Sequence, residues 1–320
     1  MAMLGGREKM GAALGIDWRL HVFGKGKYRR KTFGFGDYDK KRDSYSGFEI
    51  YVRELSILEG GIGCAVWDAS VIQARWIYAH PEMFEGKYVI ELGSGCGLPG
   101  LVIGKFADTA LVTDYLPQLV QNLDYNIKLN SGEFSADDED GDRRLGDRTY
   151  AAFLDWKDVS LDGTEFSDPE PEDVKKERLE AEAAEAANVE ERSSDDELSE
   201  GTLEEQERMR NINQDKLYHQ CADILIGSEL TYSGSISAVY ALLRVLLFYL
   251  KPGGVFYEIL SDDRDGVHYF LEKVQELGFT YKAVPVEDQY MGKTGTGQQA
   301  ESYHFYTFWR PAETDPHIME

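Results

Sequence analysis

The segment Glu91-Leu92-Gly93-Ser94-Gly95-Cys96-Gly97-Leu98-Pro99-Gly100 follows an apolar run, Tyr88-Val89-Ile90, with an acid and then four glycines in eight residues. Closely spaced glycines let a backbone approach a ligand where a Cβ would collide. From Gly95 to Gly100 the loop reads GxGxxG, and Asp114 follows nineteen residues after Gly95, at the end of the next apolar run. An acid there can take ribose hydroxyls, as in a dinucleotide site. Glu91 pulls the other way. A carboxylate at the strand end would repel a pyrophosphate and suits a ligand that carries an ammonium group.

S-adenosylmethionine is such a ligand, with an amino-acid end, a sulfonium and a ribose but no phosphate. Other chemistries have less support. His21, His80, His219, His268, His304 and His317 show no metal-ligand spacing, so no metal is expected, and no GxSxG elbow is present. Cys64, Cys96 and Cys221 are odd in number and far apart, which argues against a disulfide framework and for a reducing compartment.

Composition sets the surroundings. The 320 residues carry 34 Lys+Arg against 58 Asp+Glu, a formal net charge of -24, which makes nucleic acid an unexpected partner. The longest apolar stretch, 238–250, contains Arg244 and is too short to span a bilayer. With no signal-like start, the expectation is a cytoplasmic or also nuclear protein, monomeric and without a membrane partner.

The elements that must hold the loop alternate. A strand is expected at 45–55, a helix at 68–79, a buried strand within 87–100 that runs straight into the glycine loop with Glu91 at its end, a helix at 98–106, a strand at 110–115 and a helix at 119–129. Strands follow at 150–156 and 222–229, then a helix at 236–250, a strand at 255–260, a helix at 266–277 and two strands, 281–286 and 303–309. Alternation of this kind implies an α/β fold with a mostly parallel sheet and helices on both faces. The last two strands have only a turn-rich link between them and should pair as an antiparallel hairpin at or near an edge.

Four segments together resemble the seven-strand S-adenosylmethionine-dependent methyltransferases, and within them the methyltransferase-like 21 group of protein lysine methyltransferases: Val66-Trp67-Asp68-Ala69, the loop 89–100, Leu154-Asp155-Trp156, and Ser228-Glu229-Leu230-Thr231-Tyr232. The resemblance implies a Rossmann-like seven-stranded sheet and S-adenosyl-L-methionine as cofactor. It also implies cofactor contacts from Trp67, Gly93, Ser94, Gly95, Asp114, Trp156 and Ser228, with Glu91 facing the cofactor's amino group. Glu229 and Tyr232, in the acid-x-x-Tyr motif, would orient the incoming nitrogen of a protein substrate such as a chaperone or a translation factor. The motif acid is Glu where most lysine-methylating members have Asp, and SELTY is similar to the related protein-histidine methyltransferase. Histidine is therefore the alternative target. A nicotinamide-dependent oxidoreductase and a non-catalytic cofactor-binding scaffold are alternatives of other classes.

Two segments fall outside the resemblance. Residues 1–43 form a basic extension, eleven bases against five acids, in which 25–31 is expected to be an exposed loop before the first strand. The methyltransferase domain then runs from 44 to 310, with 311–320 as a tail. It is interrupted at 157–215 by an insert whose stretch 168–207 carries seventeen acids against four bases. That composition predicts a disordered or solvated-helical arm with no part in the core, removable without harm to the fold, and able to attract a basic protein surface.

Overall fold

The computed structural model describes residues 7–8, 18–23, 28–131, 147–180, 183, 200–231, 235–261, 264–291 and 303–312. Seven strands make the main sheet: β1 (Tyr88–Glu91), β2 (Thr109–Asp114), β3 (Thr149–Phe153), β4 (Ala222–Ser228), β5 (Leu250–Ser261), β6 (Thr280–Pro285) and β7 (Tyr303–Trp309). Their spatial order is β6-β7-β5-β4-β1-β2-β3. The pairs from β5 to β3 are parallel, and β7 runs antiparallel to both β5 and β6. The expected hairpin is present, with β7 one position in from the edge.

Successive side chains of a strand point to opposite faces, and two cores result. Val89, Ala110, Val112, Ile224, Ile226 and Ile259 face one. Ile90, Leu111, Leu225, Phe256 and Leu260 face the other. Helices α1 (Asp68–Ala79), α2 (Leu98–Ile103) and α3 (Pro117–Asn130) cover the first face, and α5 (Ile236–Tyr249) and α6 (Val267–Glu276) the second; α4 (Glu200–Asn211) packs against α3. Strands buried on both faces read as continuous apolar runs, which is why they were legible in the sequence. No helix among the described residues is long and apolar enough to cross a membrane.

The N-terminal region departs from expectation. Residues 28–34 are not an exposed loop but a strand, Tyr28–Gly34, paired antiparallel with Trp18–Phe23 on one side and Glu49–Glu54 on the other. Phe33 and Phe35 lie in the first core beside Ile50 and Val52. Lys31, from the basic run, forms a 2.8 Å ion pair with buried Glu54, whose carboxylate also accepts the Val66 amide at 2.8 Å. Thus the small sheet fixes the chain immediately before Trp67.

The outer edge of Glu49–Glu54 is closed by a ladder of asparagines on α3. Asn130 Oδ1 accepts from the Tyr51 amide and its Nδ2 donates to the Tyr51 carbonyl; Asn126 Oδ1 accepts from the Arg53 amide and its Nδ2 donates to the Arg53 carbonyl. Asn122 Oδ1 takes Arg53 Nε at 2.7 Å. Four helical residues rise about 6 Å, close to the about 6.6 Å of two strand residues, so amides spaced by four can serve alternate strand residues. Asn126 also donates to the Cys96 carbonyl at 3.1 Å, tying the ladder to the glycine loop. Asn126→Ala should therefore cost roughly 2 kcal/mol, because it strands buried backbone groups. A urea melt indistinguishable from the parent's would show the ladder to be ornamental.

The insert is likewise built in at both ends. Val159 and Leu161 enter the second core and Met209 of α4 the first. Asn213 and Gln214 donate to the Ala151 and Phe153 carbonyls along β3. Glu170, 3% exposed, accepts hydrogen bonds from Arg178 and from Arg244 of α5. Burial pushes this carboxyl up, but the two guanidinium groups outweigh it and hold it below the usual carboxylate range. A helix covers 172–180, in the stretch expected to be a solvated helix. The expectation that the insert lies wholly outside the core is corrected: apolar residues near its ends, and one buried acid, are enough to anchor it.

Candidate functional site

The strand order reverses between β1 and β4, since the chain leaves β1 toward β2 and leaves β4 toward β5. Open α/β sheets hold ligands at such a point, outside the carboxyl ends of the strands. The glycine loop leaves β1 here, and Ser228-Glu229-Leu230 leaves β4 beside it. Ile224, Leu225 and Ile226 are in register with Val89, Ile90 and Glu91.

The loop's conformation requires its glycines. Gly93, Gly95 and Gly97 have φ of +55°, +53° and +81°, a left-handed region that disfavours any Cβ. A Cβ on Gly93 would stand 3.1 Å from Leu230 Cδ2 and 3.8 Å from Trp156 Cζ2, so those two side chains wall the space above it. Gly95 is covered by Gly63, whose carbonyl would sit 3.1 Å from an added Cβ. At Gly100 a Cβ would meet Val112 and Glu91; its absence lets α2 begin directly over the strand.

Each acid has a defined place. Asp114, 5% exposed, accepts the Gly95 amide on Oδ2 at 3.1 Å and the Tyr115 and Leu116 amides on Oδ1. Burial lifts its carboxyl to about 6 against the pull of those amides. Glu91 lies beneath the loop and accepts the Gly100 amide at 3.0 Å. Burial raises it to about 8, although the bonds from Ser94 and Gly100 oppose this and the charge of Asp114 adds to it. It therefore braces the start of α2. Ser94 bridges β1 and β2: its hydroxyl donates to the Glu91 carbonyl and accepts the Thr113 amide at 2.9 Å.

Trp67, Trp156 and Ser228 lie on the segments next to this cradle. Trp67 caps the start of α1, 41% exposed, with its indole Nε1 donating to the Ile62 carbonyl at 2.9 Å. Trp156 opens a short 3-10 turn after β3, and its ring reaches the Gly93 side of the loop. Ser228 Oγ is 3.1 Å from Ser70 Oγ of α1. Tyr232 lies outside the described residues.

Glu229 is not the open surface acid that its loop position suggests. Its φ is +58°, a left-handed conformation rare for a residue with a long side chain. Its amide donates to the Ile259 carbonyl, Oε1 accepts the Ser261 amide at 2.7 Å, and Oε2 pairs with Arg264 Nε. The sequence reading missed Arg264 and also Glu258. Glu258 is fully buried on β5, accepts the Leu230 amide at 3.1 Å, and is raised to about 8 by burial, with the Glu229 charge adding. An acid inside an apolar strand, Phe256-Tyr257-Glu258-Ile259-Leu260, was the available signal for it.

The chemistry of this donor set can be stated. The glycine cradle is bordered by the buried acids Glu91 and Asp114, walled by Trp156 and Leu230, and carries no lysine or arginine from Leu92 to Gly100. Such a set fits a ligand with an ammonium group and hydroxyls. It does not fit a pyrophosphate, so the dinucleotide alternative is disfavoured.

The chain is similar to known proteins over part of its length. Residues 51–161 match the family model described as lysine methyltransferase. The chain is 40% identical over 89 residues to the calmodulin-lysine N-methyltransferase of Arabidopsis thaliana, covering 27% of this chain and 29% of that protein. It is 33% identical over 91 residues to the mouse (Mus musculus) protein-lysine methyltransferase METTL21E, covering 27% and 37%. The matches thus span about a third of those relatives' length. Among solved structures, the Thermus (T. thermophilus) 16S rRNA N2 G1207 methyltransferase superposes with a TM-score of 0.45 at 14% identity, over 83% of this chain and 48% of that one. Over residues 51–161, this chain is thus similar to the lysine methyltransferase family.

Proposed function

We propose that the protein transfers a methyl group from S-adenosyl-L-methionine to a lysine side chain of a protein substrate. The observation that carries this reading is the cradle of left-handed glycines, with no lysine or arginine from Leu92 to Gly100, bordered by Glu91 and Asp114, with Glu229 just past the end of β4. When bound, the cofactor supplies an electrophilic methyl on a sulfonium. The chain's own residues do the rest. Asp114 offers a carboxylate for the ribose hydroxyls, Gly93 and Gly95 admit the methionine portion, and Trp67 and Trp156 offer aromatic faces to the adenosyl end or the sulfonium. Glu229 holds the incoming nitrogen on the methyl axis, and Tyr232, the last residue of the same motif, would act on the same nitrogen. A lysine ammonium, with an ordinary pKa near about 10.4, must lose a proton before it can attack. Positioning and exclusion of water therefore account for most of the rate.

Incubation with cell extract and radiolabelled S-adenosylmethionine, followed by mass spectrometry of the labelled protein, should place the methyl on a lysine ε-nitrogen. A label on an imidazole would move the assignment to histidine. Glu229→Gln should slow this transfer tenfold or more while S-adenosylhomocysteine binds nearly as before; an unchanged rate would remove Glu229 from the reaction.

The raised carboxyl of Asp114 gives the binding a pH signature. Its ionised form accepts the ribose hydroxyls, so affinity should be full above about pH 6 and decline as pH falls through that value. The limit is tenfold per unit for one group. Calorimetric titration with S-adenosylhomocysteine between pH 5 and 8, at about half-unit steps, would show a flat profile if Asp114 took no part.

A further inference from the structure

Among the described residues, three contacts hold Glu229 in an uncommon backbone conformation, and they come from the end of β5 and the segment after it. Its amide donates to the Ile259 carbonyl at 2.8 Å, its Oε1 accepts the Ser261 amide at 2.7 Å, and its Oε2 accepts Arg264 Nε. Arg264 is itself tied back, its amide donating to the Ser261 carbonyl at 3.1 Å. The Glu229 side chain is 13% exposed and that of Arg264 35%. The guanidinium therefore closes the outer side of a carboxylate whose inner side rests on the strand. A non-glycine residue held at positive φ implies that its surroundings over-determine it, and such outliers cluster at working sites.

A glutamate has three side-chain torsions. One contact to an oxygen would leave the carboxylate free to rotate. Contacts to both oxygens, one from a backbone amide and one from the planar guanidinium, fix its plane. Each carboxylate oxygen can accept more than one hydrogen bond, so this anchoring leaves acceptor capacity for an amine. A displacement of about 1 Å at a reacting group can cost some hundredfold in rate.

We infer that Arg264 is a positioning residue: it locks the Glu229 carboxylate in the orientation that receives the substrate nitrogen. This rests on the methyl-transfer reading above. It adds a residue from the start of the α6 region, outside the motif that carries Glu229.

The test uses the full chain, radiolabelled S-adenosylmethionine and cell extract, with S-adenosylhomocysteine as the binding probe. Arg264→Ala should lower the initial rate of labelling ten- to hundredfold, while S-adenosylhomocysteine affinity stays within about twofold and the melting temperature within a few degrees. Arg264→Lys, which keeps a charge but not the planar fork, should recover part of the rate. Arg264→Ala combined with Glu229→Gln should be no slower than Glu229→Gln alone, because the arginine acts through the acid. Wild-type labelling by Arg264→Ala beside a slow Glu229→Gln overturns the Arg264 role only. Weakened S-adenosylhomocysteine binding or early melting in Arg264→Ala shows a structural residue and also overturns it. A parent protein that labels nothing overturns the methyl-transfer reading and this role with it.

Discussion

Glu170→Ala should lower the stability of the fold by about 3–5 kcal/mol, the cost of removing one partner from a buried ionic group. Glu170 is 3% exposed and stands between Arg178, held through Nε and Nη2 at 3.0 Å each, and Arg244, 4% exposed on α5, at 3.0 Å. Alanine would leave two guanidinium groups facing each other without the buried acid between them, with the more exposed Asp168 3.2 Å from Arg244. For a domain of this size the melting temperature should fall by on the order of 10 °C. Glu172→Ala serves as the control. Glu172 is an acid of the same insert, largely exposed and 4.0 Å from Lys175, and it should change stability by less than about 1 kcal/mol. Equal melts for the two variants would return the insert to the status of a solvated arm.

Asp114→Ala should weaken S-adenosylhomocysteine binding by about 2–3 kcal/mol, or some hundredfold, without unfolding the protein. Two losses combine. The carboxylate that would take the ribose hydroxyls disappears, and the Gly95, Tyr115 and Leu116 amides lose the acceptor that holds loop and strand end together. Folding should survive because the substitution also removes an acid that burial has pushed up to about 6. Asp114→Asn separates the two losses, since its remaining oxygen can still accept amides. An intermediate affinity is expected there. Parent-like calorimetric affinity in Asp114→Ala would show that the ligand lies elsewhere.

Much of the sheet, and the backbone of the candidate site, is legible in the sequence for physical reasons. Val89-Ile90, Leu111-Val112 and Leu225-Ile226 are buried on alternate faces, and doubly covered strands must be apolar throughout. Gly93 and Gly95 announce a left-handed backbone that residues with a Cβ rarely adopt. Long-range polar pairing left no such trace. The spacing of Asn122, Asn126 and Asn130 was visible, but not that their partners lie some seventy residues earlier. Lys31 looked like one charge of an exposed basic run because Glu54, its buried partner, sits on another strand. The insert misled for a related reason. Its overwhelming charge hid Val159, Leu161 and Met209, which are few but buried. Glu229 was correctly placed at a strand end, yet the sequence offered no sign that Arg264 would hold it.

The asparagine ladder has one more effect. A strand at the border of a sheet presents unpaired amides and carbonyls that can recruit a foreign strand, and exposed borders of this kind lead to aggregation or strand exchange. At Glu49–Glu54 the outward amides and carbonyls of Tyr51 and Arg53 are already occupied by Asn130 and Asn126. A helix thus impersonates the missing strand with side chains alone, and the border is sealed against self-recruitment by residues that could never themselves propagate a sheet.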